Sequence, residues 1–277
     1  MIVLRKPDKP VWPADAWTRA DSAAYLRSVA PVLLPHLAER PTTIRRLPDG
    51  LDGPGWFAVE CRHAPPWLHR CRIEARDTSF DMCVLDSVDA LVWAVDVGGV
   101  ELHPLPRTCA EPEQPLLTLV DLDPGPGTGL VECAKLALRI RGLAPHEPLV
   151  KTSGGGGLHL SLPPPATFAE AKAIVRALAE QLAGDLPDLV VTTQRREARI
   201  GRVLVDWLQN DPMRSTIAPY SLRAAPEPRV SAPVTWDEVE RCAREDRPRL
   251  LVLGPRDMLE RLDRLGDLSS SSASRTA

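Results

Sequence analysis

LLTLVDLDPGPGTGLVECAKLALRIRG, residues 116–142, is the stretch from which the fold is read. Its near-continuous apolar run at 116–123 predicts a buried strand. The Gly/Pro cluster that follows predicts a turn, with backbone room for a phosphate near a helix N-terminus. A helix then runs from a cap at Thr128 to Gly142, placed as a terminating glycine. Downstream, PLVKTS at 148–153 and GLHLSLP at 157–163 read as two more strands. Thr167 and Glu170 form a capping box for a helix ending near Gly184, and Thr235 with Glu238 caps a later one. DLVVTT at 188–193 and RVLVDWL at 202–208 are further strands. Upstream, 22–37 reads as an amphipathic helix that Pro31 should kink or divide. PTTIRRLPDG and GWFAVEC read as short strands, and DALVWAVDV as a helix capped by Asp86 or Ser87 and stopped at Gly98-Gly99. Strands and helices alternate irregularly, with hairpin-like pairs. That pattern predicts an α+β or mixed α/β protein with mixed, largely antiparallel sheets flanked by helices. One catalytic domain is expected over 1–266, in one or two lobes, followed by a disordered Ser-rich tail over 267–277.

The chain has 277 residues, 44% of them apolar, ample for a sizeable core. No apolar stretch is long enough for a membrane span, and the first residues do not form a secretory signal, so a cytoplasmic protein is expected. Cysteines 61, 71, 83, 109, 133 and 242 form no CxxC pair and are read as scattered reduced thiols. A net charge of −3 does not advertise nucleic-acid binding. Seven arginines in 40–76 and seven more in 195–229 are interleaved with acidic residues, which leaves DNA binding open.

Three features carry chemistry. Asp121 and Asp123 end an apolar strand, and alternation sends both to one face. They are either solvated turn aspartates or a pair that a divalent cation neutralises. Asp206 ends the strand VLVD, as a cap or as a third ligand of a two-metal site. Between them lies KTSGGGGLHL, residues 151–160. Its four glycines permit close approach of backbone to phosphate, with Ser153 and Lys151 as further donors. It is not a P-loop, because Gly-Lys-Ser/Thr is missing at the required spacing.

The order of these features resembles the three motifs of the archaeo-eukaryotic primase superfamily. The wider chain is similar to the polymerase domain of bacterial ligase D, the multi-domain enzyme of non-homologous end joining. The similarity runs from about residue 6 to about residue 240, through PDKPVWP, APVLLPHLAERPTTIRRLPDG, DALVWAVDVGGVELHP, VDLDPGPG, KTSGGGGLHL and VLVDWLQNDPMRSTIAPYSLR. This resemblance implies that Asp121, Asp123 and Asp206 bind two divalent ions, Mn²⁺ or Mg²⁺. It implies that Ser153, His159, Lys151 and Arg223 meet an NTP's triphosphate, with His103 at its ribose and Phe57 at the nucleotide. Trp56 and Phe57 match paired aromatics that stack on bases. Lys9 and Arg19 match a grip on a downstream 5′-phosphate, near one helix N-terminus, and Arg45 a neighbouring basic contact. The chain departs from the family pattern at Arg19, usually Lys; at Ala58-Val59, often Gln-Lys; and at Ala225, often Arg. The implied activity is a polymerase and terminal transferase that prefers NTPs and fills gaps at broken DNA ends. Its implied partners are a Ku-type end-binding protein and a DNA ligase, in the bacterial cytoplasm at the nucleoid. A primase, or a non-catalytic end-bridging module that recruits a ligase, are the alternatives.

Overall fold

A computed structural model describes residues 2–75 and 78–269. In chain order the elements are β1 (Pro10–Trp12), β2 (Trp17–Thr18), α1 (Arg19–Leu33), β3 (Pro41–Arg46), β4 (Trp56–Ala58), β5 (Arg70–Ala75), β6 (Thr78–Val84), α2 (Val88–Asp96) and β7 (Gly99–Pro104). They continue as β8 (Thr118–Pro124), α3 (Leu130–Leu143), β9 (Leu149–Thr152), β10 (Leu158–Leu162), α4 (Phe168–Asp185), β11 (Val190–Val191) and β12 (Val203–Val205). β13 (Leu222–Ala224), β14 (Pro228–Val230), α5 (Trp236–Glu245) and α6 (Pro255–Leu265) complete the chain.

Two five-stranded sheets carry the fold. One has the order β11-β12-β8-β10-β9, antiparallel except for the β11–β12 pair. The other has the order β4-β3-β6-β5, with β7 also paired to β3. The expected mixed, largely antiparallel α+β architecture is therefore what forms. Each sheet has its own core. Val120 and Leu122, on one face of β8, are fully buried with Cys133, Ala134 and Ala137 of α3 and Val175 and Ala179 of α4. Burying such side chains contributes roughly 1.5–3 kcal/mol each, and it commits the opposite face of β8, with Asp121 and Asp123, to the side away from that core. The second core gathers Tyr25, Leu26, Val29 and Leu33 of α1 with Leu91 and Val95 of α2 and Ile44 of β3.

Several local expectations need correction. α1 begins at Arg19, because Thr18 and Asp21 form a capping box there, and it passes Pro31 undivided to Leu33 before a short 3-10 turn. The cap of α3 is Gly129, whose N–H donates to the Glu132 carboxylate at 2.9 Å. Thr128 instead donates to the Gly125 carbonyl. Gly142 lies inside α3 and does not end it. The backbone room at Gly125 is filled by protein, whereas Gly127 and Gly129 stay open: Gly125 N–H donates to Arg202 O and Gly201 N–H to Pro126 O, and a Cβ at Gly125 would fall on the Arg199 carbonyl.

The cysteine reading changes too. Cys61–Cys83 and Cys71–Cys109 are disulfides, while Cys133 and Cys242 are free and buried. Separations of 22 and 38 residues carry no sequence signature; Cys71 and Cys83 sit on the β5–β6 hairpin, and their partners Cys109 and Cys61 are brought to it from loops outside it. Of the tail, Asp267 accepts from the Tyr220 hydroxyl at 2.5 Å and Ser269 meets His36 at 2.6 Å. Residues 270–277, the remainder of the expected Ser-rich tail, lie outside the described residues. Among the described residues no helix is long and apolar enough to cross a membrane.

Candidate active site

Three carboxylates meet at one end of the first sheet. β12 runs antiparallel to β8 with Leu204 opposite Asp123 and Val205 opposite Leu122. The chain leaves β12 at Asp206, whose N–H donates to the Asp121 carbonyl at 2.9 Å. Asp206 Oδ1 accepts the Leu208 N–H at 3.0 Å, which fixes its side chain at the start of a 3-10 turn. Asp121 and Asp206 are both buried. Burial first, then Asp123 and Asp206 beside it, holds the Asp121 carboxyl well above the usual carboxylate range. Burial and Asp206 also raise Asp123, against the pull of Arg199 and Arg223.

The carboxylate cluster suits a hard divalent cation. Asp121 Oδ1 is buried without a hydrogen bond. The His159 ring stands 3.3 Å away without the alignment of one. Among the described residues no group of three or more Asp, Glu, His or Cys side chains is placed so that it could hold a metal ion as it stands. An orphaned buried oxygen, mutually repelling carboxylates and an all-oxygen donor set still fit Mg²⁺ or Mn²⁺ held by Asp121, Asp123 and Asp206.

The glycine turn stands against this cluster. It joins the β9–β10 hairpin, and β10 pairs with β8 so that His159 lies opposite Asp121. Ser153 Oγ accepts the N–H groups of Gly155 and Gly157, both at 3.2 Å. With both lone pairs engaged, the hydroxyl hydrogen is left as a donor for an anion. Gly154 has φ +73°, and a Cβ at Gly157 would fall on the Leu122 carbonyl, so neither position admits another residue without strain. Arg223, on β13, lies along the turn: its Nη2 is 3.8 Å from where a Gly155 Cβ would stand.

Lys151 does not join this surface. Its ammonium is buried behind His159, 2.9 Å from Nδ1, and donates to Ser231 Oγ at 2.7 Å. Burial pushes its pKa down to about 7, opposed by Asp121. The expected phosphate donor is thus a support for His159, because residues 151 and 159 face each other across the β9–β10 ladder. Lys151 also lines a cavity of about 1200 Å³, which touches none of the three carboxylates.

The second sheet supplies the rest. His103, on β7, packs edge-on against Phe57 with ring centroids 5.3 Å apart. Trp56 and Phe57 on β4 are half exposed, with Arg46 over the first ring at 5.2 Å and Arg45 over the second at 5.6 Å. Exposed aromatics flanked by guanidinium groups offer flat faces of the kind that can stack on planar rings. Glu101, two residues from His103 on the same face of β7, escaped the sequence reading. It is fully buried and binds His103, Arg45 and Arg223 together. Its only sequence signal was the Glu-x-His alternation.

Lys9 and Arg19 are neighbours, as expected, but not an open pocket. Arg19 is buried in the first turn of α1, donating to the carbonyls of Asp96 at 2.8 Å and Pro48 at 2.9 Å. The N–H groups of that turn are taken as well: Arg19 donates to Lys9 O, Ala20 to Pro7 O and Asp21 to Thr18 Oγ1. The reading of Arg19 as a phosphate contact is corrected to a structural brace. Lys9 pairs with Asp49 at 2.7 Å, and both side chains reach solvent.

Comparison with known proteins locates this arrangement. Residues 18–269 match a family model described as the LigD primase-polymerase domain. The multifunctional non-homologous end joining DNA repair protein LigD of Mycobacterium tuberculosis is 37% identical over 281 aligned residues, covering 96% of this chain and 36% of that protein. LigD of Pseudomonas aeruginosa is 30% identical, covering 86% of this chain and 29% of its own. The chain therefore spans about a third of the length of these relatives. A solved structure, the polymerase domain from Mycobacterium tuberculosis ligase D in complex with DNA, superposes with a TM-score of 0.88 at 33% identity. It covers 97% of this chain and 96% of that one.

Proposed function

This chain belongs to the LigD primase-polymerase domain family, and on that premise we propose that it is a metal-dependent nucleotidyltransferase extending DNA ends during double-strand-break repair. The observation that carries the reading is the cluster of Asp121, Asp123 and Asp206 facing the Ser153–Gly157 turn, with His159 and Arg223 alongside. Divalent ions bound there supply Lewis-acid activation of a primer 3′-hydroxyl and screening of the leaving pyrophosphate. The chain's own residues position the rest. Ser153 and Arg223 bind the triphosphate through charge-assisted hydrogen bonds. His159, held by Lys151, borders both triphosphate and carboxylates. His103 meets the ribose, and Trp56 and Phe57 stack on bases. The substrates are NTPs and gapped or broken DNA, and a Ku-type end-binding protein and a DNA ligase work with it at the bacterial nucleoid. Labelled single-nucleotide incorporation on gapped, blunt and unprimed DNA, with Mn²⁺ or Mg²⁺, tests the assignment. Incorporation on gapped DNA with NTPs favoured over dNTPs is expected. Binding without incorporation would make the chain a bridging module, and activity confined to unprimed template would make it a primase.

The 5′-phosphate contact rests on Lys9, with Asp49 as its competitor. A phosphate must displace that carboxylate, so Asp49→Asn should tighten binding to gapped DNA carrying a 5′-phosphate by a few-fold at fixed salt. The 5′-hydroxyl control should change less, since a terminal phosphate offers more charge to the freed ammonium. Equal tightening on both DNAs would remove Lys9 from phosphate recognition.

A further inference from the structure

Glu101 is fully buried, and each of its hydrogen bonds goes to a group or segment on the nucleotide side of the site. Oε1 accepts from Arg45 Nη1 at 2.9 Å and from the Ala224 N–H at 3.0 Å. Oε2 accepts from His103 Nε2 at 2.7 Å and Arg223 Nη1 at 3.3 Å. A buried carboxylate is tolerated where it is paired and hydrogen-bonded. Here two guanidinium groups keep it ionised: burial alone would raise its pKa, but His103, Arg223 and Arg45 bring it below the usual range. An ionised carboxylate only accepts hydrogen bonds, so the hydrogen between the two side chains belongs to His103 Nε2. Burial works against a second proton on the imidazole, and among the described residues no protein group engages Nδ1. The edge contact with Phe57 limits rotation of the ring.

We propose that Glu101 is the positioning residue for nucleotide selection: it locks His103 in the Nε2–H form, leaving Nδ1 as an acceptor for the sugar 2′-hydroxyl, while steadying Arg223 for the triphosphate. One buried carboxylate then couples sugar choice on β7 to phosphate binding on β13. The other hydrogen bond of an imidazole decides which nitrogen can accept. A ribose supplies the matching O–H; a deoxyribose leaves the acceptor unpaired. This inference rests on the reading of the site as an NTP-using polymerase.

The test compares kcat/KM for an NTP and its dNTP on gapped DNA. Glu101→Gln keeps the shape, but its amide can donate to Nε2 and release the lock. The NTP/dNTP ratio should fall about tenfold, and His103→Ala should lower it similarly. The double variant should lose no more selectivity than His103→Ala alone, because Glu101 acts through that ring. An unchanged ratio in Glu101→Gln, or additive losses in the double variant, overturns the proposal. A merely structural glutamate would lower activity with both nucleotides and leave their ratio alone. Should Glu101→Gln fail to fold, ¹⁵N-histidine NMR of the wild-type protein decides, with His103→Ala used for assignment among six histidines. A proton on Nε2 is expected, and one on Nδ1 overturns the lock. Equal use of NTP and dNTP by the wild type would overturn the ribonucleotide reading of the site itself, and the NMR result would still separate that failure from failure of the lock.

Discussion

Asp121→Asn should lower nucleotide incorporation by at least three orders of magnitude while leaving the cation-free protein as stable as the wild type, or more so. The two effects share one cause. Asp121 is buried beside Asp123 and Asp206, and this environment raises its pKa far above that of a free carboxyl. Asparagine keeps the shape and removes the repulsion, but it cannot supply the charge that divalent ions require for activating the 3′-hydroxyl. The pH dependence has a definite sign. A carboxyl whose folded pKa is raised stabilises the fold below its unfolded pKa, near the ordinary aspartate value of 3.8, and that contribution is lost as pH rises through the folded pKa. The melting temperature of the metal-free wild type should therefore fall relative to Asp121→Asn as pH rises above about 4. Added Mn²⁺ should restore the wild type and not the variant. Differential scanning calorimetry with and without chelator, alongside primer extension, checks both halves. Incorporation within about tenfold of wild type, some 1.4 kcal/mol of barrier, would remove Asp121 from the metal site.

The carboxylates were legible because a period-two strand announces which residues share a face. Val120 and Leu122 point into an apolar core, so Asp121 and Asp123 must point the other way. The glycine run was legible for a similar reason, since Gly154 at positive φ and Gly157 against the Leu122 carbonyl leave little choice of residue. What the sequence concealed depends on contacts between distant segments. Lys151 looks like a donor in KTSG, but strand pairing turns its ammonium behind His159. Arg19 looks like a free cation, yet the capping box at Thr18 pulls it into α1, where it is buried and carbonyls from residues 48 and 96 engage two of its guanidinium donors. Glu101 looks like one more charge in VELHP; only the meeting of β3, β7 and β13 makes it a shared acceptor. The disulfides escaped notice because spacings of 22 and 38 residues encode nothing until loops carrying Cys61 and Cys109 pack against the β5–β6 hairpin.

Arg223→Ala should lower kcat/KM for every nucleotide about a hundredfold, with most of the loss in KM. Arg223 divides its guanidinium between two tasks. Nη1 reaches Glu101 at 3.3 Å, while Nη2 and Nε lie over Gly155, 3.8 and 4.0 Å from where a Cβ would stand. The planar fork thus holds an anchor on one side and leaves donors facing the turn whose Ser153 hydroxyl is also free to donate. Hydrogen bonds to charged groups contribute about 1.5–3 kcal/mol each, so two lost from one triphosphate come to about 3 kcal/mol at the lower end, close to the expected factor. The truncation also leaves Glu101 with one guanidinium fewer, so part of the loss comes from a looser His103. Arg223→Lys separates these contributions. A lysine restores the charge near the phosphates but cannot satisfy Glu101 and the triphosphate with one rigid group. It should recover about a tenth of wild-type kcat/KM while the NTP/dNTP ratio stays depressed. Steady-state kinetics on a one-nucleotide gap, with NTP concentration varied at saturating DNA, distinguishes the cases. Full recovery in Arg223→Lys would mean that only charge matters at this position, and that the bond to Glu101 has no part in how the triphosphate is held.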